Sequence, residues 1–156
     1  MKDGRYAHRF SGVALRNMLP RGMPHHLVGV GTFAIERKKV VDGEQSSSIV
    51  PLNHSAAAVK NARFRFSGDI TGPLNGVFHA KLTMVKVMPN DSPQELSAEF
   101  DFVTAPNDTL WLISTYAFNN TSGSVAEELV SGEAVRTGDY VTPTKSKADA
   151  RVRTRL

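Results

Sequence analysis

From Ala62 to Met88 the chain reads ARFRFSGDI, then TGPLNG, then VFHAKLTMVKVM. Two runs of alternating side chains flank six turn formers. Large residues recur with period two, and Gly, Pro and Asn stand where the chain must reverse, which is how a β-hairpin is written. On the first arm Phe64, Phe66 and Ile70 share a face with Gly68. On the second, Phe78, Ala80, Leu82 and Met84 form the better core face, and Val77, His79, Lys81, Thr83 and Val85 take the other.

The segments on either side follow the same grammar. In Gly4 to Leu15, Tyr6, His8 and Phe10 alternate with Ala7, Arg9 and Ser11, as in a strand with one large-residue face. Arg16 to His26 contains two prolines and a glycine, which exclude a long helix and predict a loop. Leu27 to Lys39 predicts a second strand. Its Gly29 and Gly31 point to one face and mark curvature or close approach by another backbone. The GVG there lacks the third glycine and the following helix of a dinucleotide fingerprint. Asp42-Gly43 predicts a tight hairpin into a third strand. Residues 53–61 are the one stretch with helix propensity, enough for a turn or two.

Beyond the central hairpin, turns at 89–93 and 105–108 bound a strand in which Phe100 and Phe102 oppose Glu99 and Asp101. Thr109 to Asn119 is the most apolar strand. Leu110, Leu112, Ser114, Tyr116 and Phe118 lie on one side, with Trp111, Ile113, Thr115 and Ala117 on the other. Apolar content on both faces implies cover on both. Val125 to Arg136 closes the pattern as a last strand. Seven or eight strands joined by short turns predict an all-β fold, a single antiparallel up-and-down β-barrel with at most one short helix. The barrel spans residues 4–136, and a basic, largely disordered tail spans 137–156.

Composition narrows the function classes. At 156 residues the chain can bury a core without staples, and the absence of cysteine excludes disulfides, thiolate catalysis and Cys-ligated metals. The net charge is +4, but five basic residues against two acidic ones after Arg136 give the tail +3 and leave the rest +1. That distribution argues against a nucleic-acid surface, which needs a basic, aromatic-studded sheet face. No apolar run approaches the ~20 residues of a membrane span, and MKDGRYAHRF lacks a secretory apolar stretch, so a cytoplasmic protein is expected.

The fragments GRYAHRFSG, LVGVGTF, FRFSGDITGPLNG and LWLIS, spread from about Arg5 to Arg136, resemble the calycin-type small barrels. These include the lipocalin-like proteins and the allene oxide cyclase-like barrels. The lipocalin G-x-W is absent, since the single Trp111 stands late in the chain. These are architectural signatures rather than catalytic ones. The likeness to allene oxide cyclase-like barrels implies cofactor-free isomerase, cyclase or lyase chemistry without supplying its residues.

A barrel lumen sets the candidates. Tyr6, His8, Phe64, Phe66, Phe100, Phe102 and Leu112 are expected to line a cavity for a small hydrophobic or aromatic molecule. For the enzymatic alternative, Tyr116 would bring a hydroxyl among Leu112 and Phe118, and His79 would serve if its face turns inward, where desolvation tunes an acid or base. His25 and His26 are adjacent, so on a strand they point to opposite faces, and no H-x-H or H-E-x-x-H spacing occurs; no metal or cofactor is expected. A homo-oligomer through the Trp111 strand would supply the second cover.

Overall fold

The computed structural model describes residues 1–16, 24–51, 60–87, 95–119 and 124–142. Within them lie eight strands: β1 (Gly4–Arg16), β2 (Pro24–Glu36), β3 (Lys39–Pro51), β4 (Lys60–Leu74), β5 (Val77–Val87), β6 (Glu95–Ala105), β7 (Thr109–Asn119) and β8 (Ser124–Gly138). Each strand runs antiparallel to the next, and β8 pairs with β1 to close the ring. The protein is an all-β, eight-stranded antiparallel barrel. The stretch expected to hold a helical turn and the tail beyond 142 lie outside the described residues. Among the described residues no helix is long and apolar enough to cross a membrane.

The ends of β1, β3, β5 and β7 gather at one end of the barrel with the starts of β2, β4, β6 and β8. The tight reversals gather at the other, with the start of β1 and the end of β8. Asn75 and Gly76, with φ of 51° and 83°, make the two-residue turn of the central hairpin. Both central positions need φ > 0 in that turn, which Asn-Gly supplies at least cost. β4 therefore runs on to Leu74, deep into the stretch that reads as turn.

The reversal between β2 and β3 falls elsewhere than expected. It sits at Arg37 and Lys38, with φ of 49° and 61°, not at Asp42-Gly43. Its neighbours hold it there. Arg37 N donates to Asp3 Oδ2 at 3.1 Å, Lys38 O accepts from Ile70 N at 2.8 Å, and Lys38 Nζ donates to Gly72 O at 2.9 Å. Asp42, with φ of 48°, instead forms a bulge inside β3. Val40 pairs with Gly68 and Gly43 with Phe66, so both lie on the inner face across an extra residue. Past that point the odd-numbered residues of β3 inherit the inside.

A second difference concerns the first loop. β2 begins at Pro24, so His25 and His26 stand on a strand, His25 buried within and His26 exposed outside. β8 also runs two residues past Arg136. After it, Tyr140 donates to Asp42 Oδ2 at 2.6 Å and Thr142 to Glu36 Oε1 at 3.2 Å.

Two clusters fill the ring. The larger holds Tyr6, Phe33, Ile35, Phe66, Phe78, Leu82, Met84 and Phe102 with their neighbours, and the smaller is Phe10, Leu27 and Val130. Leu112 packs against both. The residues before β1 strap across the reversal end. Met1 packs on the core, Lys2 pairs with Asp108 at 2.8 Å, and Arg136 Nε donates to Asp3 O at 3.1 Å.

Candidate functional site

The site is the barrel interior, and its geometry starts from a match between two strands. On β1, Tyr6, His8 and Phe10 face inward; on β2 their partners are Phe33, Gly31 and Gly29. The two glycines leave room for rings. A Cβ at Gly29 would collide with the Phe10 ring, and one at Gly31 would meet Glu44 O and lie 2.6 Å from His8 Cε1. The pair that reads in sequence as curvature or close approach is a seat on which His8 and Phe10 lie flat, an aromatic covering a strand glycine.

His8 is then ringed by phenylalanine. It stacks on Phe10 at 6.1 Å and 5°, meets Phe33 at 5.6 Å and takes Phe66 edge-on at 5.8 Å and 78°. Below it Tyr6 stacks on Phe33 at 5.4 Å, and further round the wall Phe78 stacks on Phe102 at 5.2 Å. Each such pair adds about 0.5–1.5 kcal/mol beyond the area it buries, so these rings are held in place.

The β3 bulge brings polar groups to this apolar chamber. It turns Gln45 and Ser47 inward in place of Glu44 and Ser46. Gln45 Oε1 lies 3.3 Å from His8 Nε2, and Gln45 Nε2 donates to Ser47 Oγ at 2.7 Å. With the amide oxygen toward the ring, the imidazole proton sits on Nε2 and Nδ1 carries a lone pair. Burial pushes the His8 pKa below its ordinary 6.5, against the smaller upward pull of the Gln45 hydrogen bond. The ring is neutral at physiological pH.

Among the described residues His8 Nδ1 has no hydrogen-bond partner, although His8 is only 8% exposed. His25 Nδ1 is in the same position at 6%. A buried polar atom left unpaired costs about 1–3 kcal/mol, so each is a place where a ligand group gains more than on an ordinary surface.

Between the two clusters lies a cavity of about 60 Å³. Its wall includes His8, Phe10, Phe33, Gln45, Phe66, Phe100, Phe102 and Leu112 with aliphatic neighbours, and no charged side chain among the described residues. Of the residues expected to bind a ligand, the structure brings together His8, Phe66, Phe100, Phe102 and Leu112. Tyr6 does not line the cavity. It lies beneath Phe33, and its hydroxyl is committed to Lys2 O at 2.7 Å. Burial raises its pKa, so it stays a phenol. Phe64 is half-buried one step further from the reversal end, packed on the core but off the cavity.

Of the two residues expected to catalyse, His79 stands away from the cavity, and the side chain of Tyr116 lies outside the described residues. His79 was tied to its face turning inward, but the Phe78 to Met84 face holds the inside. His79 lies on the outer wall, with Nδ1 2.8 Å from Asp101 Oδ1 and Nε2 3.8 Å from Glu99 Oε2. Tyr116 stands in β7 opposite Glu99, past a register shift where β7 carries one residue more than β6; its side chain falls outside the described residues. Sequence reasoning missed Gln45, because Ser46 to Ser48 reads as polar surface, and missed Phe10 and Phe33 as wall residues. Gly29 and Gly31 opposite Phe10 and His8 were the available signal. Among the described residues no group of three or more His, Asp or Glu is arranged to hold a metal.

Comparison of the chain with family models, curated proteins and solved structures finds no match.

Proposed function

We propose that the barrel binds one compact, largely apolar molecule in its interior, against the aromatic wall around His8. The observation that carries this reading is a cavity bounded by Phe10, Phe33, Phe66, Phe100 and Phe102, with no charged side chain on its wall among the described residues. At about 60 Å³ it is far smaller than the ~300–1,000 Å³ of drug-sized sites. The occupant is therefore small, or it displaces the half-buried Phe100 and Leu112, the wall residues with room to give. The direct test is native mass spectrometry of freshly purified protein, with saturation-transfer NMR against small aromatics. Binding that survives Trp111→Ser on the outer wall and is lost with Leu82→Phe, which fills the cavity, supports the reading. Binding unaffected by the filled interior overturns it.

A second reading is cofactor-free isomerisation, cyclisation or elimination of the same bound molecule. Burial keeps the His8 imidazole unprotonated, so its free nitrogen can serve as the general base such a reaction needs. His8, rather than His79, is the group that supports it. Proton exchange into a bound carbon acid, lost in His8→Phe, is the measurement.

Self-association through β7 and its neighbours is proposed as well. Trp111 and Leu129 are 58% and 62% exposed on the outer wall, and the charges between them, Arg9 and Glu133, neutralise each other at 2.6 Å. A surface of this kind can pack against its own copy across a two-fold axis. Sedimentation velocity of the wild type against Trp111→Ser tests it.

A further inference from the structure

Resting on the reading that the interior binds a ligand, we infer that the occupant is an uncharged hydrogen-bond donor, a small alcohol or phenol, whose O–H donates to His8 Nδ1. Four observations converge on this class. His8 is more than nine-tenths buried and lines the cavity, and its Nδ1 has no partner among the described residues. Its other nitrogen is committed to Gln45 Oε1, whose own amide is committed to Ser47 Oγ. With the Gln45 amide oriented this way Nε2 carries the proton, and Nδ1 is left as an acceptor on a ring that lines the cavity. Among the described residues no Lys, Arg, Asp or Glu lines the cavity.

These facts exclude the neighbouring ligand classes. A carboxylate offers only acceptor atoms at neutral pH, so it would set lone pair against lone pair. It would also bring a charge into a chamber with no counter-charge among the described residues, a cost that only pairing offsets. A pure hydrocarbon satisfies the wall and leaves Nδ1 unpaired. A hydroxyl on a compact ring satisfies both: the ring meets Phe33 and Phe66, and the O–H closes the chain Ser47–Gln45–His8 at its inner end. His25 does not compete for the same group, since it stands outside the cavity wall.

The test uses the full chain and three probes of similar shape, phenol, toluene and benzoate, with affinities measured by titration calorimetry on the wild type and on His8→Phe. Loss of one neutral hydrogen bond corresponds to about a tenfold loss of affinity. Phenol should weaken by that factor in His8→Phe, toluene should not, and benzoate should bind worst to the wild type. Parallel changes for phenol and toluene, or tightest binding of benzoate, overturn the inference while leaving interior binding intact. If none of the three binds the wild type, the interior-binding reading itself falls. Imidazole ¹⁵N NMR of the wild type needs no variant to fold. An unprotonated Nδ1 that shifts with phenol and not with toluene is the expected result; a proton on Nδ1 in the free protein overturns it.

Discussion

On one side of the ring, β1 to β3 present stacked rings seated on glycine and a chain of three polar groups, His8, Gln45 and Ser47. On the other, β5 and β6 present Ala80, Leu82, Met84, Ala98 and Phe102, an inner face with no polar group among its buried members. Both walls bound the same cavity. The first is rigid because each ring is fixed by a neighbour and Gln45 ties His8 to Ser47, which leaves His8 Nδ1 as the unpaired atom of that chain. Apart from the stacked Phe78–Phe102 pair, the second is filled by aliphatic side chains whose main requirement is volume, so it can accommodate. A chamber with one fixed wall and one adaptable wall can orient a ligand and still close around it.

The largest expected effect breaks the rigid wall. Phe33→Ala removes the ring that touches Tyr6, His8 and Phe66 and should cost about 3–5 kcal/mol in urea unfolding. Met84→Leu on the adaptable wall should cost less than about 1.5 kcal/mol. Similar losses in the two variants would erase the distinction. Next in size is Gly31→Ala. Its Cβ would press on Glu44 O and on His8 Cε1, and a loss of about 1–3 kcal/mol is expected, with His8 displaced in its NMR spectrum. An unchanged His8 spectrum would show that the glycine is not its seat.

The polar chain adds a pH dependence. The unfolded His8 ring takes up its proton near the ordinary 6.5, while burial holds the folded ring's pKa lower. Below 6.5 the unfolded state therefore binds more protons. Stability should fall as pH drops through that value, level off below the folded pKa, and lose this component in His8→Phe. An identical profile in the variant would remove His8 from the account. The smallest effect belongs to the outer wall. Trp111→Ser should change the stability of the isolated subunit by no more than about 0.5 kcal/mol, and any larger change must track subunit concentration.

Much of the fold was legible because strand alternation and turn residues are local. Phe64 to Ile70 against Phe78 to Met84, and Phe100 and Phe102 against Glu99 and Asp101, fall on the faces their spacing predicts. The site was legible only in part. Asp42-Gly43 has the composition of a reversal, but contacts from Asp3, Ile70 and Gly72 hold the turn at Arg37-Lys38, and no neighbouring residue in sequence records them. That displacement makes the bulge, and the bulge decides which of Glu44 and Gln45 points inward.

By itself, then, the sequence determined a closed antiparallel sheet with an aromatic inner surface, since period two and turn chemistry are properties of consecutive residues. Only the tertiary structure decided that His79 lies outside, that Tyr6 is a plug bonded to Lys2, and that His8 is neutral with one nitrogen bonded and one unpaired. Those outcomes depend on register and burial, set by strands far apart in the chain, and a single extra residue in a strand reverses every face beyond it.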